Sequence, residues 1–172
     1  MNTTLTGRER HFGADEVIVS KTDLKGRITY ANRVFLNIAG LTLKQAIGAP
    51  HSLIRHPHMP RCVFKLLWTR IEAGHEVFAY VLNRAMNGDH YWVLAHVTPS
   101  YGADGRITGF HSNRRVPKKA TVDSVFVPLY AELRAIEESH ANRKDGMNVA
   151  YAALNEKLTS MGVDYDRFVF SL

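Results

Sequence analysis

The feature that most restricts the fold of this chain is a run of three strand-forming segments joined by two glycine turns in residues 77–116. Val77 to Arg84 alternates small and bulky residues, Asn87-Gly88 is a two-residue hairpin signal, and His90 to Thr98 forms the next strand. Asp104-Gly105 then turns the chain into Arg106 to Val116, so the segment predicts an antiparallel meander. Period two divides the middle strand into His90, Trp92, Leu94 and His96 on one face and Tyr91, Val93, Ala95 and Val97 on the other. The second face is smaller and less polar, as a sheet concavity that holds a ligand or packs closely on helices requires.

Upstream, Val17-Ile18-Val19, a Lys25-Gly26 turn and Ile28-Thr29-Tyr30-Ala31 read as two more strands in a hairpin. Asn32 can cap a helix from Arg33 to Ala39 with Val34, Phe35 and Ile38 on its apolar face, and Gly40 stops it. A second short helix begins at Thr42 and ends near Gly48, with Leu43 and Ile47 spaced i, i+4. Next comes Ile47 to Trp68, IGAPHSLIRHPHMPRCVFKLLW, which carries three Pro, two Arg and three His and runs into an amphipathic helix. Pro fixes the backbone of such a loop while Arg and His supply donors, which is the composition of a pocket mouth; a solvated connection is the plainer alternative. Val63, Phe64, Leu67, Trp68 and Ile71 give the following helix a stripe suited to lying on a sheet, with Trp68 read as core and Gly74 as the stop. The expected architecture is α+β: a five-stranded antiparallel sheet with short helices on one face, all inserted between strands two and three.

Bulk properties narrow the function. At 172 residues one domain and a C-terminal appendage are expected, and 45% hydrophobic with 22% charged residues is the composition of an ordinary globule. No window approaches the roughly 18–20 apolar residues of a membrane span, and the polar start MNTTLTGRERHF has no apolar signal core, so a cytoplasmic location is the default expectation. Cys62 is the only cysteine and reads as a buried, inert thiol. The net charge of +6 is spread along the chain; its one local cluster, Arg114, Arg115, Lys118 and Lys119, reads as a solvated linker rather than a nucleic-acid surface. No Ser/His/Asp order, phosphate-cradling glycine loop or metal-ligand motif is present, and Asp23, Asp89 and Asp104 read as turn residues, so an enzyme is not expected.

The order of elements, and the wording of ITYANRVF, GLTLKQAIGAPHSLIRHPHMP, LLWTRIEAG, LNRAMNGDHYWVLAHVTP and GRITGFHS, resembles the sensory PAS domain of bacterial aerotaxis receptors. The resemblance divides the chain into an N-terminal arm at 1–14, a PAS domain at 15–117 and a helical extension at 118–172. It implies non-covalent FAD binding and redox or oxygen-linked signalling without turnover. By the same resemblance, Asn32 and Phe35 stand at the entrance to the first short helix and Arg55 and His56 belong to the pocket-mouth loop. Asn83 falls where an amide meets the isoalloxazine edge, and His111 takes the inward position of the last strand. With Tyr91 and Val93 of the concave face these are the expected FAD contacts, and Arg55 can neutralise a phosphate or an anionic reduced ring. A second sensory reading stays open, a non-covalent b-type haem on one of His51, His56, His58 or His111, and so does a cofactor-free interaction module that senses nothing.

Residues 1–13 show no periodicity and read as a mobile or loosely docked arm. In the tail, Phe126, Leu129, Leu133, Ile136 and His140 follow helical spacing, as do Met147, Tyr151, Leu154, Leu158 and Met161 after an Asp145-Gly146 break. These two stripes favour a homodimer, through them or the PAS face, over a hairpin within the chain; the apolar terminus from Tyr165 to Leu172 is expected to dock. Any signal is expected to pass to a separate receptor or kinase.

Overall fold

The computed structural model describes residues 4–172. Five antiparallel strands stand in the order β2-β1-β5-β4-β3: β1 Ile18–Asp23, β2 Ile28–Ala31, β3 Val77–Arg84, β4 His90–Tyr101 and β5 Ile107–Arg115. Between β2 and β3 lie α1 (Arg33–Ala39), α2 (Leu43–Ala46), a 3-10 turn (His51–Ile54) and α3 (Arg61–Glu72). The expected α+β architecture and the insertion of the helices are therefore present.

All three hairpins close in the same way. Asp23, Ala85 and Gly102 each donate from backbone N–H to the carbonyl four residues on, and Gly26, Gly88 and Gly105 each donate back to the first residue's carbonyl. Each of those glycines has positive φ (72°, 92° and 76°), the conformation of a three-residue loop closed by a glycine bulge. Asn87-Gly88 thus signals the hairpin correctly but closes a three-residue loop, not a two-residue one.

Side-chain alternation carries through the sheet in register. Ser20 faces Ser112, Ser112 faces Val97, and Ala95 faces both Ala79 and Arg114, so these positions share one inner face with the helices. There Phe35, Ile54, Met59, Val63, Tyr91 and Val93 form solid core. Asn32 caps α1 by accepting from Phe35 N–H, and a Thr42–Gln45 capping box opens α2, as the sequence pattern requires. The Leu43–Ile47 pair does not face the core: both are exposed, and Ala46 is the buried contact of α2.

After β5 the chain continues through α4 (Lys119–Thr121), a π turn (Val122–Phe126) and α5 (Val127–Glu138), then α6 (Arg143–Ser160) and α7 (Tyr165–Phe170). On the outer face of the sheet Phe126 stacks on Tyr80 at 4.1 Å and Tyr130 on Trp92 at 5.9 Å. The Tyr130 hydroxyl donates to the Tyr80 carbonyl at 2.6 Å, covering part of the free edge of β3. Phe170 of α7 meets Phe78, and Asp166 pairs with Arg70. Leu133, Leu154 and Leu158 of the two tail stripes, with Ala150, are buried within the chain, while Met161 at the end of the second stripe is exposed. Asp145-Gly146 is no break. Asn142 caps α6, and Gly146 lies inside the helix where a Cβ would stand 2.3 Å from the Glu137 carbonyl oxygen.

The N-terminal arm is docked rather than loose. His90 N–H donates to the Arg8 carbonyl and Arg10 N–H to the His90 carbonyl, while Thr6 Oγ1 donates to Asp89. The first three residues of the expected arm lie outside the described residues.

Candidate functional site

Small side chains open the inner face where β1, β5 and β4 meet. Ser20, Ser112, Ala95 and Val97 leave room under α3, and the result is a cavity of about 560 Å³, within the usual range for small-molecule sites. Phe64, Leu67, Trp68 and Ile71 of α3 form its roof, and Met147 of α6 closes one side. Trp68 meets Phe110 edge to face at 5.4 Å, and Gly26 leaves space for the Trp68 ring, which a Cβ there would approach to 3.2 Å. Read from periodicity as core, Trp68 is instead half-buried cavity wall.

The polar lining has one sign. Lys25, Arg55, Arg61, Lys65 and Arg114 border the cavity, and among the described residues no Asp or Glu does. Arg61 is partnered by Glu137 at 3.0 Å, and Lys65 donates to Asn148 at 2.7 Å. Arg55 stacks over Phe64 at 4.4 Å and donates to the Met59 carbonyl at 3.2 Å; burial lowers its pKa, partly opposed by Glu137.

Three groups in this lining are under-partnered: Asn83, Arg114 and Ser112, whose Oγ has no hydrogen-bond partner. Asn83 is 3% exposed and its Nδ2 has no hydrogen-bond partner. Arg114 is also 3% exposed; its Nη2 donates to Ser20 Oγ at 2.8 Å and to His51 Nε2 at 2.6 Å, while Nη1 has no partner. None of the ion pairs among the described residues includes Arg114. Burial pulls its pKa down to about 10, and burial followed by the Arg114 charge lowers that of His51 to about 3, which leaves His51 neutral and able to accept. Orphan donors in a buried wall cost free energy unless a ligand meets them.

Of the residues expected from the sequence, Arg55 and Asn83 line the cavity, and a bridge between their backbones holds them together. The others stand elsewhere. Asn32 spends its side chain on Val17, Val19 and Phe35 as a cap, and Phe35 is core beneath Arg114, 5.6 Å from its guanidinium. Tyr91 and Val93 are fully buried on the inner face but in its solid half, outside the cavity lining. His56 turns away to His58 and His90; its Nδ1 accepts from His58 N–H at 3.0 Å, and burial with those histidines lowers its pKa to about 4. His111 is not inward: Phe110, Ser112 and Arg114 occupy the inner face of β5, so His111 lies opposite, against Asn113 at 3.1 Å. Of the four histidines considered for haem only His51 lines the cavity. Cys62 is buried with its thiol pushed up to about 12, as an inert cysteine requires.

The basic cluster at Arg114 reads from sequence as a solvated linker, yet β5 continues through Arg115 and sets Arg114 into the sheet. The alternation that sorted β4 identifies it on β5, once Phe110 rather than His111 is taken as the inward residue. Met147 left no comparable signal, because its place depends on the packing of α6 against α3.

A five-stranded antiparallel sheet with helices enclosing a cavity on one face is an architecture with room for a small ligand. The chain belongs to the PAS fold family, which matches residues 16–112. Over 123 residues it is 39% identical to the aerotaxis receptor of Escherichia coli K12, covering 70% of this chain and 24% of that receptor. It is 26% identical over 99 residues to the nitrogen fixation regulatory protein of Klebsiella pneumoniae, 58% of this chain and 20% of that protein. The light-state structure of the blue-light photoreceptor Aureochrome1 LOV superposes with a TM-score of 0.57 over 64% of this chain and 89% of that one, at 23% identity, a likeness of fold. The chain spans between a fifth and a quarter of the length of these two curated relatives.

Proposed function

We propose that this PAS domain binds FAD non-covalently in the cavity under α3 and passes its redox state to a separate signalling protein. The observation that carries the reading is the unpartnered Asn83 amide in a cavity walled by Trp68 and Phe110 and bordered by cations without an acid. A bound flavin supplies reversible one- and two-electron chemistry. Asn83 offers the paired donor and acceptor that a flavin pyrimidine edge requires, the aromatic residues offer flat apolar contact, and Lys25, Arg61 and Lys65 are available to phosphates. Haem has less support, because His51, the one cavity-lining candidate, already accepts at Nε2 from Arg114.

The tail provides a route outward. Arg61 and Lys65 line the cavity from α3 and also hold Glu137 of α5 and Asn148 of α6, so a shift of α3 acts directly on the tail. Kinship with an aerotaxis receptor supports this signalling role.

The test is equilibrium binding of FAD to the purified chain, followed by flavin absorbance and fluorescence quenching. Asn83→Ala and Arg55→Ala are each expected to weaken retention by about tenfold. A parent chain that retains no FAD on reconstitution refutes the reading, and unchanged affinity in both variants refutes this assignment of the pocket.

A further inference from the structure

Arg114 is a cation placed where the fold gives it nothing anionic. The groups that face it are Ser20 from β1, His51 from the 3-10 turn, Tyr91 from β4 and the Phe35 ring from α1. None is a carboxylate, and the Tyr91 hydroxyl is itself without a hydrogen-bond partner. A buried guanidinium of this kind carries several kcal/mol of desolvation cost unless a counter-charge meets it. The four other cavity-lining cations differ: Lys25 is exposed and Arg55, Arg61 and Lys65 are partly so, whereas Arg114 lies on the floor.

Resting on the flavin reading above, we propose that Arg114, oriented by Ser20 and His51, is the residue that stabilises negative charge on the reduced flavin ring and so sets how readily this PAS domain is reduced. The balance is explicit. Two electrons from dithionite and one proton from solvent convert the neutral ring to an anion of charge −1, while the dithionite ion and two waters become two bisulfite ions and release two protons to the buffer, so the ring's own proton count is read from the pH dependence of its potential. Beside a fixed guanidinium that anion persists; without the guanidinium a second proton is taken up and the ring becomes neutral. His51 stays neutral on the acid side of neutrality and Tyr91 stays protonated, since burial raises its pKa, so an altered proton count belongs to the ring.

The experiment is anaerobic dithionite titration of the FAD-reconstituted full chain against reference dyes, at pH values down to about 5.5, where free reduced flavin takes two protons. The parent is expected to take up one proton per two electrons throughout. Arg114→Gln is expected to take up two, with the ratio of its affinities for reduced and oxidised FAD lowered at least about tenfold. Arg114→Lys, which keeps the charge, is expected to stay near the parent. Uptake of two protons by the parent at about pH 5.5 overturns the proposal without any variant. A parental affinity ratio in an FAD-loaded Arg114→Gln chain overturns the role of Arg114 and leaves the flavin reading intact. Failure of the parent to bind FAD overturns both.

Discussion

Among the buried charges of the described residues, Glu137 where α5 meets α3 and Arg114 on the cavity floor are treated in opposite ways. Glu137 accepts from the Cys62 N–H at 2.7 Å and from Arg61 Nε at 3.0 Å, which gives α3 the N-terminal cap that Pro60 has no side-chain oxygen to provide. Arg114 has two neutral acceptors and a bare Nη1. One charge is satisfied inside the fold; the other is complete only when something outside the chain arrives. Burial therefore separates the two roles less well than partner accounting does.

The sharpest way to break this comparison is to remove the satisfied charge. Glu137→Ala strands the Cys62 N–H and the Arg61 guanidinium together, and a loss of about 3 kcal/mol in unfolding free energy is expected by urea titration. A loss below about 1 kcal/mol means the junction behaves like a surface pair. Gly146→Ala attacks the same junction from the other side, because its Cβ would stand 2.3 Å from the Glu137 backbone oxygen and α6 must move away. About 2 kcal/mol is expected from that forced separation, with Gly48→Ala no control, since positive φ strains it for a separate reason.

Acid gives a third handle with a defined sign. Burial alone would raise the Glu137 pKa, but the hydrogen bonds from Cys62 and Arg61 outweigh it and hold the group below its ordinary value of 4.5. The folded state thus favours the carboxylate, so its contribution is complete above that ordinary value and is lost as the pH falls through the lowered folded value. Unfolding free energy of the parent should drop across that acid window more than that of Glu137→Gln does, measured by urea titration at stepped pH. Parallel curves would show that folding leaves the Glu137 pKa unchanged.

How far this was readable beforehand differs between the fold and the site. Strand alternation, the glycine turns at Gly26, Gly88 and Gly105, and the Asn32 and Thr42 caps are local signals, and the sheet with its inserted helices follows from them. The α5–α6 hairpin was harder, because an apolar stripe is covered equally well by its own chain or by another. The close approach of Gly146 to the Glu137 backbone packs α6 on α5, and the long-range Glu137 cap ties α5 to α3; neither leaves a mark in the apolar spacing. Within the site, Asn83 and Arg55 were legible from the family wording. His111 reads as inward from the family wording but stands on the opposite face, because one residue of parity exchanges the two sides of a strand. The same error hid Arg114, whose neighbours Arg115 and Lys118 are exposed and gave it the look of a linker residue.

Arg114→Met in the ligand-free chain gives the smallest expected change and the most telling one. Methionine fills much of the guanidinium's volume and removes the cost of a buried cation, while Ser20 and His51 each lose a donor worth about 1 kcal/mol. These opposed effects should leave unfolding free energy within about 1 kcal/mol of the parent or above it, in contrast to Glu137→Ala. A side chain held at 3% exposure that is removable without loss is one the fold retains for a ligand rather than for itself. If Arg114→Met instead destabilises the chain as much as Glu137→Ala does, Arg114 is a structural member of the sheet, and the asymmetry between the two buried charges disappears.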